Sequence, residues 1–178
     1  MHYSTINATK IDSKTDLAGF TKHCLREGGP DAKHHRSVPD PTKSHLNQHY
    51  VLNDALQLVQ VTTDNFSLND SLNKLAESKG AKFRKGGHIG TELCLGASRE
   101  WMLSRTPEQK QEWVQKNLEA IEERFPGMTF GASFHADETN PHMHVYLLPT
   151  YTKQVNRGRE KMAGHPAGSR VSRFRTTR

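Results

Sequence analysis

Three histidines lie close together in one short segment near residue 140. His142 and His144 are separated by a single residue, and His135 precedes them in the same segment. Imidazole is a common ligand of divalent transition metals, and three imidazoles without a fourth protein ligand leave coordination positions open for water or a substrate. The segment therefore predicts a metal centre of the catalytic kind. The alternative is that one or two of these histidines only form hydrogen bonds on a polar sheet face.

Two alternating patterns flank a short connection around these histidines. Side chains of a β-strand alternate between the two faces of a sheet. Met128, Phe130, Ala132 and Phe134 alternate with Thr129, Gly131, Ser133 and His135, and Met143, Val145 and Leu147 alternate with His142, His144 and Tyr146. Residues 136–141 are long enough to connect the two strands as a hairpin. The patterns predict that the apolar sets face the core and that all three histidines lie on the opposite face.

The elements around this hairpin predict a mixed α and β domain. The clearest helix begins at Thr106, because Pro107 and Gln109 follow it in the spacing of a capping box. Its apolar stripe consists of Val114, Leu118, Ile121 and Phe125. Strands are predicted over residues 1–10 and 88–95, and helices over residues 17–26 and from a cap at Asn69 or Asp70 to residue 79.

Composition limits the classes of protein that fit. The chain has 178 residues, of which 33% are hydrophobic, which is typical of one globular domain. No segment approaches the roughly 18 consecutive apolar residues of a membrane span, and Lys10, Asp12, Lys14 and Asp16 are charged where a signal peptide is apolar. Cys24 and Cys94 allow at most one disulfide. We therefore expect a cytoplasmic protein without membrane insertion.

Positive charge is concentrated at the C-terminal end. The net charge is +6, and residues 153–178 contain eight basic residues and one acid, Glu160, so that residues 1–152 are close to neutral. Basic segments rich in Gly, Ser and Thr are often mobile and bind phosphates through counterion release. The sequence predicts a mobile basic tail over residues 151–178, which either binds nucleic acid or is only solvated.

The histidine segment resembles a known family motif. His135–His144, with the sequence HADETNPHMH, is similar to the third motif, His-x-Asp-Glu-x-x-Pro-His-x-His, of the MobV-type (Pre/Mob) plasmid mobilisation relaxases in the HUH endonuclease superfamily. His23–Arg26 resembles the first motif, His-x-x-Arg, and Ser44–Asn47 resembles the second. Arg84 and Lys85, followed by the strand from Glu92, resemble the stretch before the family's long helix. The resemblance covers residues 1–150 and is not recognised beyond Pro149, so we expect an isolated catalytic domain or a shortened relative.

The resemblance implies a fold and an activity. The fold is α+β, with a central antiparallel sheet of about five strands, helices on one face and the three-histidine metal site on the other. Residues 1–150 form the relaxase catalytic domain. Such enzymes nick one DNA strand at a plasmid transfer origin, remain covalently attached to the 5′ phosphate, and later rejoin the strand during conjugative mobilisation. The implied cofactor is manganese or magnesium.

Roles for single residues follow from the same resemblance. His135, His142 and His144 are the expected metal ligands. His23 is the expected nucleophile, giving a phosphoramidate, while Arg26 stabilises phosphate charge and Glu138 accepts a proton or orients a ligand. The expected DNA-binding residues are Ser44, Asn47, Lys82, Arg84 and Lys85. Tyr50 and Tyr3 are alternative nucleophiles, because tyrosine is commoner in the superfamily.

The expected partners are single-stranded or supercoiled plasmid DNA at a transfer origin and a coupling protein of a type IV secretion system. A rolling-circle replication initiator or a transposase of the same superfamily is one alternative. Another is a three-histidine zinc hydrolase or lyase of small molecules, which leaves the basic loop at residues 79–85 without a purpose. A DNA-binding remnant without catalysis is the third.

Overall fold

The computed structural model describes residues 4–27, 39–151 and 169–171. The strands are β1 Ser4–Ile11, β2 Gln48–Leu52, β3 Leu58–Val61, β4 Ala81–Lys82, β5 Gly90–Ala97, β6 Thr129–His135, β7 His142–Leu147, β8 Thr150–Tyr151 and β9 Ser169–Val171. The helices are α1 Lys14–Cys24, α2 Leu68–Ser78, α3 Arg99–Leu103 and α4 Pro107–Arg124.

Six strands form an antiparallel sheet in the order β1-β5-β7-β6-β2-β3. The expected α+β class with a central antiparallel sheet is therefore confirmed, with six strands where about five were expected. The sequence patterns predicted neither β2 nor β3, which form a hairpin at one edge of this sheet. A second sheet has the order β4-β9-β8.

The two central strands form the predicted hairpin. In its register His135 pairs with His142, and Ser133 pairs with His144. On its other side β7 pairs with β5, so that Cys94 lies opposite His144 and Glu92 lies opposite Tyr146. Directly paired residues share a face of the sheet. The histidine face of the sheet, defined as the face that carries His135 and His144, therefore receives residues from β5 as well.

Helices cover both faces of the sheet, and the expectation that they lie on one face only is wrong. On the face opposite the histidines, α4 packs against β6 and β7 through Val114, Ile121, Ala132, Phe134, Met143 and Val145. On the histidine face, α1 and α2 pack against the sheet through Leu17, Cys24, Leu68, Leu72, Phe130 and Tyr146. The reason is that the histidine face is itself apolar at the Phe130 and Tyr146 end, and buried aromatic surface has to be covered.

A β-bulge explains why Phe130 is not on its predicted face. Between Thr129 and Gly131 the pairing with β7 shifts by one residue, so the alternation expected from Phe134 back to Phe130 is broken. Phe130 is fully buried and packs beside Tyr146 on the histidine face. Gly131 permits close approach of α2, because a Cβ there would lie 2.5 Å from Leu68 Cδ2.

The helices begin as local sequence chemistry dictates. Thr106 and Gln109 form the predicted capping box of α4. The cap of α2 is Ser67, whose Oγ accepts a hydrogen bond from Asp70 N at 3.3 Å, rather than Asn69 or Asp70. Ser13 caps α1 in the same way.

Most of the segment predicted to be a mobile tail, residues 151–178, lies outside the described residues. Within it, Tyr151 ends β8 and Ser169–Val171 forms β9, which pairs parallel to β4 and antiparallel to β8. The boundary at residue 150 stays a prediction. In the part of the chain that the structure describes, no helix combines the length and apolar character that crossing a bilayer requires.

Candidate metal centre

The hairpin brings the three predicted metal ligands together on the histidine face. The ring centroids of His135 and His142 are 5.1 Å apart, and the ring of His144 lies 4.7 Å from each of them. The Nε2 atoms of His142 and His144 are only 2.8 Å apart. The predicted convergence of the three imidazoles is therefore present.

His135 is buried in the form that binds metals. It is fully inaccessible to solvent, and its Nε2 atom has no hydrogen-bond partner among the described residues. Burial lowers the pKa of His135 well below its usual value, and the neighbouring His144 and Arg26 lower it further, against the opposing effect of Glu138. A neutral buried imidazole with an unpaired nitrogen is costly unless a cation occupies that nitrogen. The donor set fits a divalent ion.

Hydrogen bonds behind the ligands fix their orientation. His144 Nδ1 lies 2.5 Å from Glu92 Oε1, and His142 Nδ1 lies 3.0 Å from the carbonyl oxygen of Asn140. Because both partners are acceptors, both Nδ1 atoms donate, and the Nε2 atoms carry lone pairs that face one another. A shared cation relieves this repulsion and uses the arrangement that is typical of metal-binding histidines. Burial lowers the pKa of His142, and His144 lowers it further, which favours its ligand form.

Glu92 is a site residue that the motif analysis did not identify as functional. Its carboxylate is buried and comes from β5, which is distant in sequence from the hairpin. In the sequence, Glu92 stands between Thr91 and Leu93 in an alternating strand, which indicates that it faces the side of the sheet opposite to theirs. Its place behind His144 could not be predicted, because it depends on the pairing of β5 with β7.

His23 extends the cluster from the C-terminal end of α1. Its ring centroid lies 4.9 Å from that of His135 and 5.5 Å from that of His144. One nitrogen of His23 also lies within 4.8 Å of ligand atoms of His135 and His144. This placement fits either a nucleophile facing a metal-bound phosphate or an additional ligand.

Arg26 lies directly after α1 in a left-handed backbone conformation with φ of 60°. Arg26 N donates to His23 O, and Glu27 N donates to Lys22 O, which is the Schellman pattern that usually places glycine at this position. A non-glycine residue here costs roughly 1 kcal/mol. The side chain offsets this cost, because it forms ion pairs with Asp137 and Glu138 in the turn of the hairpin.

Those ion pairs connect α1 to the turn of the hairpin. Arg26 Nε and Nη2 donate to the two carboxylate oxygens of Asp137 at 3.0 and 2.5 Å, and Nη2 also lies 2.9 Å from Glu138 Oε1. Burial alone would lower the pKa of Arg26, but Asp137 and Glu138 together raise it. Burial alone would raise the pKa of Asp137, but hydrogen bonds from Arg26, Ser44 and Asn47 lower it. Glu138 Oε1 is also 3.3 Å from His135 Nδ1.

Ser44 and Asn47, predicted to bind DNA, contact the same turn in this structure. Ser44 Oγ donates to Asp137 Oδ2 at 2.7 Å. Asn47 Oδ1 accepts hydrogen bonds from the backbone amides of Ala136 and Asp137 at 2.8 and 3.3 Å. Asp137 is thus the centre of a network that fixes the turn against α1.

The remaining predicted residues lie away from the cluster. Tyr50 faces α4 on the opposite side of the sheet, where its hydroxyl donates to Gln48 Oε1 and accepts from Gln111, so the structure contradicts its role as an alternative nucleophile. Tyr3 lies outside the described residues. Lys82, Arg84 and Lys85 are exposed and precede β5 at its Gly90 end. That end lies about 20 Å along the strand from Gly96, the residue opposite His142.

Two further titratable groups lie near the cluster. Cys94 is half-buried, and burial raises the pKa of its thiol to about 11, with a smaller contribution from Glu92. His49 is buried, with Nδ1 2.9 Å from Ser133 Oγ and its ring against Phe66. Burial lowers the pKa of His49 to about 4, and the charge of Arg26 lowers it further.

Comparison with known families and proteins places this geometry in context. Residues 1–167 match the Mob_Pre family, described as plasmid recombination enzyme, so the match continues past the point at residue 149 where the motif resemblance stopped. The chain is 30% identical over 117 residues to a 65 kDa protein of Zymomonas mobilis, covering 62% of this chain and 18% of that protein. It is 24% identical over 152 residues to plasmid recombination enzyme type 3 of Staphylococcus aureus, covering 84% of this chain and 34% of that enzyme. The chain thus spans about a third or less of the length of these curated relatives.

Solved structures share the fold. The manganese-bound MobM relaxase domain (MOBV; Mob_Pre) in complex with plasmid pMV158 oriT DNA aligns with a TM-score of 0.66 and 21% identity, over 87% of this chain and 74% of that chain. A second MobM complex, with a 26-nucleotide oriT DNA, aligns with a TM-score of 0.53 and 16% identity. The fold described above is therefore that of a relaxase domain.

Proposed function

The chain belongs to the Mob_Pre family of plasmid recombination enzymes, and we propose that it is a metal-dependent relaxase. It nicks one DNA strand at a plasmid transfer origin, forms a 5′-phosphate adduct and later rejoins the strand. The observation that carries this proposal is the position of His23, whose ring lies 4.9 Å from the centroid of His135 at the edge of the three-histidine cluster. A reacting imidazole and a cation-binding set on one face are the parts that phosphodiester transfer requires.

His135, His142 and His144 hold the divalent ion in this proposal, and manganese or magnesium is the expected cofactor. Such an ion neutralises and orients the non-bridging oxygens of a phosphodiester. A related relaxase domain of known structure is manganese-bound. The donors are the Nε2 atoms of His142 and His144, which face each other, and Nε2 of His135, which has no hydrogen-bond partner within residues 4–27, 39–151 and 169–171.

His23 attacks the scissile phosphorus through an unprotonated ring nitrogen. The nitrogen–phosphorus bond forms as the bond to the 3′ oxygen breaks, and the 3′ oxygen takes up a proton. The phosphoramidate keeps the free energy of the broken bond, so attack by a 3′ hydroxyl on the same phosphorus rejoins the strand and releases His23. The half-buried position of this ring leaves it accessible to a DNA strand.

Arg26 and Glu138 act as positioning residues in this scheme. Each guanidinium nitrogen of Arg26 already donates within the protein, to Asp137, Glu138 or the carbonyl oxygen of His23. Its contacts therefore support holding α1 against the turn more than clamping phosphate. Glu138 Oε1 lies 3.3 Å from His135 Nδ1, which supports orientation of that ligand over proton transfer from His23.

DNA contacts complete the proposal. Lys82 at the end of β4, and Arg84 and Lys85 after it, are exposed cations suited to phosphate contacts that do not read sequence. Ser44 and Asn47 act on DNA indirectly, through the turn that they fix. We also propose a cytoplasmic bacterial location, a supercoiled or single-stranded transfer origin as substrate, and a type IV secretion coupling protein as partner of the complete system.

The test is adduct formation. The protein is incubated with manganese and labelled single strands or supercoiled plasmids that carry candidate transfer origins. We expect an acid-labile protein–DNA adduct that is lost in His23→Ala and retained in Tyr50→Phe. Small-molecule hydrolysis without nicking would support the zinc hydrolase alternative, and DNA binding without nicking would support the remnant.

The same variant separates the two possible roles of His23. If His23 is the nucleophile, His23→Ala binds manganese with unchanged affinity and forms no adduct. If His23 is instead a ligand, manganese affinity falls together with the adduct, and the nucleophile assignment is wrong. Isothermal titration of manganese into both proteins measures this difference.

A further inference from the structure

Cys94 lies within ligand distance of two of the three histidines. It is directly opposite His144 in the register of β5 and β7. Its Sγ atom and one ring nitrogen each of His142 and His144 all lie within 4.8 Å of one another. We propose that Cys94, His142 and His144 form a zinc-type cation site that overlaps the histidine triad.

The two shared imidazoles are already oriented for such a site. Both Nδ1 atoms point to acceptors, Glu92 and the carbonyl of Asn140, so that both Nε2 atoms face each other. With zinc–nitrogen bonds of about 2.0–2.1 Å, tetrahedral zinc separates two nitrogen ligands by roughly 3.3 Å. The Nε2 atoms therefore have to move apart by only about half an ångström from their 2.8 Å separation.

The third ligand decides which cation each arrangement prefers. Thiolate is a soft ligand that selects zinc over magnesium or manganese, and zinc also exceeds manganese in intrinsic affinity for nitrogen and sulfur sites. His135 completes the nitrogen-only triad, whereas Cys94 completes a set with two nitrogens and one sulfur. Three protein ligands leave zinc one open position, as in known sites that combine cysteine and histidine. Binding releases the thiol proton to solvent, and no electron is transferred.

The consequence depends on the function proposed above. Because His142 and His144 belong to both sets, zinc at the cysteine set and the nicking cation at the triad exclude each other. Zinc is then a competitive inhibitor of adduct formation with respect to manganese. The zinc site itself stands on its own geometry and is testable without DNA.

The first test uses Co²⁺ as a spectroscopic substitute for zinc in the full chain after removal of metals with a chelator. A cobalt–thiolate bond produces a charge-transfer band in the near ultraviolet. We expect this band in the wild type, in Cys24→Ser, which alters the other thiol, and in His135→Ala, which alters the triad only. It should be absent in Cys94→Ser and in His142→Ala. A band that persists in Cys94→Ser, or one that requires Cys24, would overturn the proposal.

The second test measures zinc affinity by competition with a chromophoric chelator. Loss of a residue that only supports a metal ligand weakens metal affinity by roughly 10- to 100-fold. Because Cys94 is itself a ligand in this proposal, Cys94→Ser should weaken zinc binding by at least that much, whereas Cys24→Ser should leave zinc affinity unchanged. Cys94→Ala serves as a second variant, and circular dichroism verifies that each variant is folded. Equal zinc affinity in the wild type and both Cys94 variants contradicts the site.

The outcomes for the two proposals are distinguishable. A cobalt–thiolate band without any manganese-dependent adduct supports the zinc site and counts against the relaxase function. An adduct without the band rejects the zinc site only. When both are present, inhibition by zinc should diminish as manganese rises, and inhibition independent of manganese would contradict overlap of the two sites.

Discussion

Phe134 and His135 are neighbours in β6 and both are buried, yet they face opposite sides of the sheet. Phe134 packs under α4 among apolar residues, whereas His135 lies among imidazoles with a nitrogen unpaired within the described residues. Burial of apolar surface stabilises the folded state, while burial of a polar atom without a partner destabilises it. The comparison indicates that Phe134 stabilises the fold, whereas the buried imidazole of His135 costs stability that its role in the metal centre requires.

The largest effect should come from single substitutions of two adjacent residues of β7 that face opposite sides of the sheet. His144→Ala removes a central imidazole, so manganese binding and adduct formation should fall below detection. Met143→Leu, on the α4 face between two ligands, preserves volume and should cost less than about 1.5 kcal/mol of stability. Its manganese affinity should equal that of the wild type. Isothermal titration and the adduct assay measure both, and loss of manganese binding in Met143→Leu would show that the faces are not separable.

The second prediction compares two phenylalanines in one strand. Phe130 and Phe134 are both buried, on the histidine face and the α4 face respectively. Truncation of either to alanine should cost roughly 3–5 kcal/mol of unfolding free energy. Urea denaturation measures both losses. A much smaller loss for Phe130→Ala would mean that the apolar end of the histidine face contributes little to stability.

The strand that carries Phe130 and Phe134 also shows which parts of the site could be predicted from the sequence. The histidine triad was predictable because one short connection joins its strands, so that period-two alternation fixes the faces of both. The bulge at residues 129–131 interrupts that alternation, and no residue type before Phe130 announces it. Phe130 was therefore assigned to the wrong face.

Residues from distant strands were the least predictable. Glu92 and Cys94 reach the cluster only because β5 pairs with β7, and strand order is not a local property of sequence. His23 and Arg26 were found by motif resemblance, since their spacing alone fits any surface helix. Arg26 was expected near phosphate, but its partners are Asp137 and Glu138, which lie more than a hundred residues away in sequence.

The third prediction concerns His49 on the histidine face. Its pKa in the folded protein is about 4, below the ordinary value of 6.5, chiefly because of burial. Between these pH values the unfolded chain binds more protons than the folded one, so stability decreases as pH falls from 6.5 to 4. The contribution amounts to about 3 kcal/mol over this window.

The variant His49→Asn tests this contribution. Asparagine retains a polar group near Ser133 Oγ but does not titrate, so the decline in stability between pH 6.5 and 4 should become shallower. Urea denaturation at several pH values compares the two slopes, which is independent of any constant loss caused by the substitution. Equal slopes in both proteins would show that His49 remains accessible to protonation in the folded state.

The smallest effect is expected at Glu92, which supports a ligand without binding the cation itself. Glu92→Gln keeps an oxygen that accepts the hydrogen bond from His144 Nδ1 but removes the negative charge, whereas Glu92→Ala removes both. Loss of such a supporting residue typically weakens metal affinity by roughly 10- to 100-fold, so we expect Glu92→Ala near the upper value and Glu92→Gln near the lower. Leu93 is the next residue of β5 and lies on the α4 face, so Leu93→Met should bind manganese like the wild type.

If Glu92→Gln binds manganese as weakly as Glu92→Ala, then Glu92 contributes through its charge rather than through the orientation of His144. If both variants bind like the wild type, the histidine face requires only its imidazoles, and its buried carboxylate has no part in holding the cation.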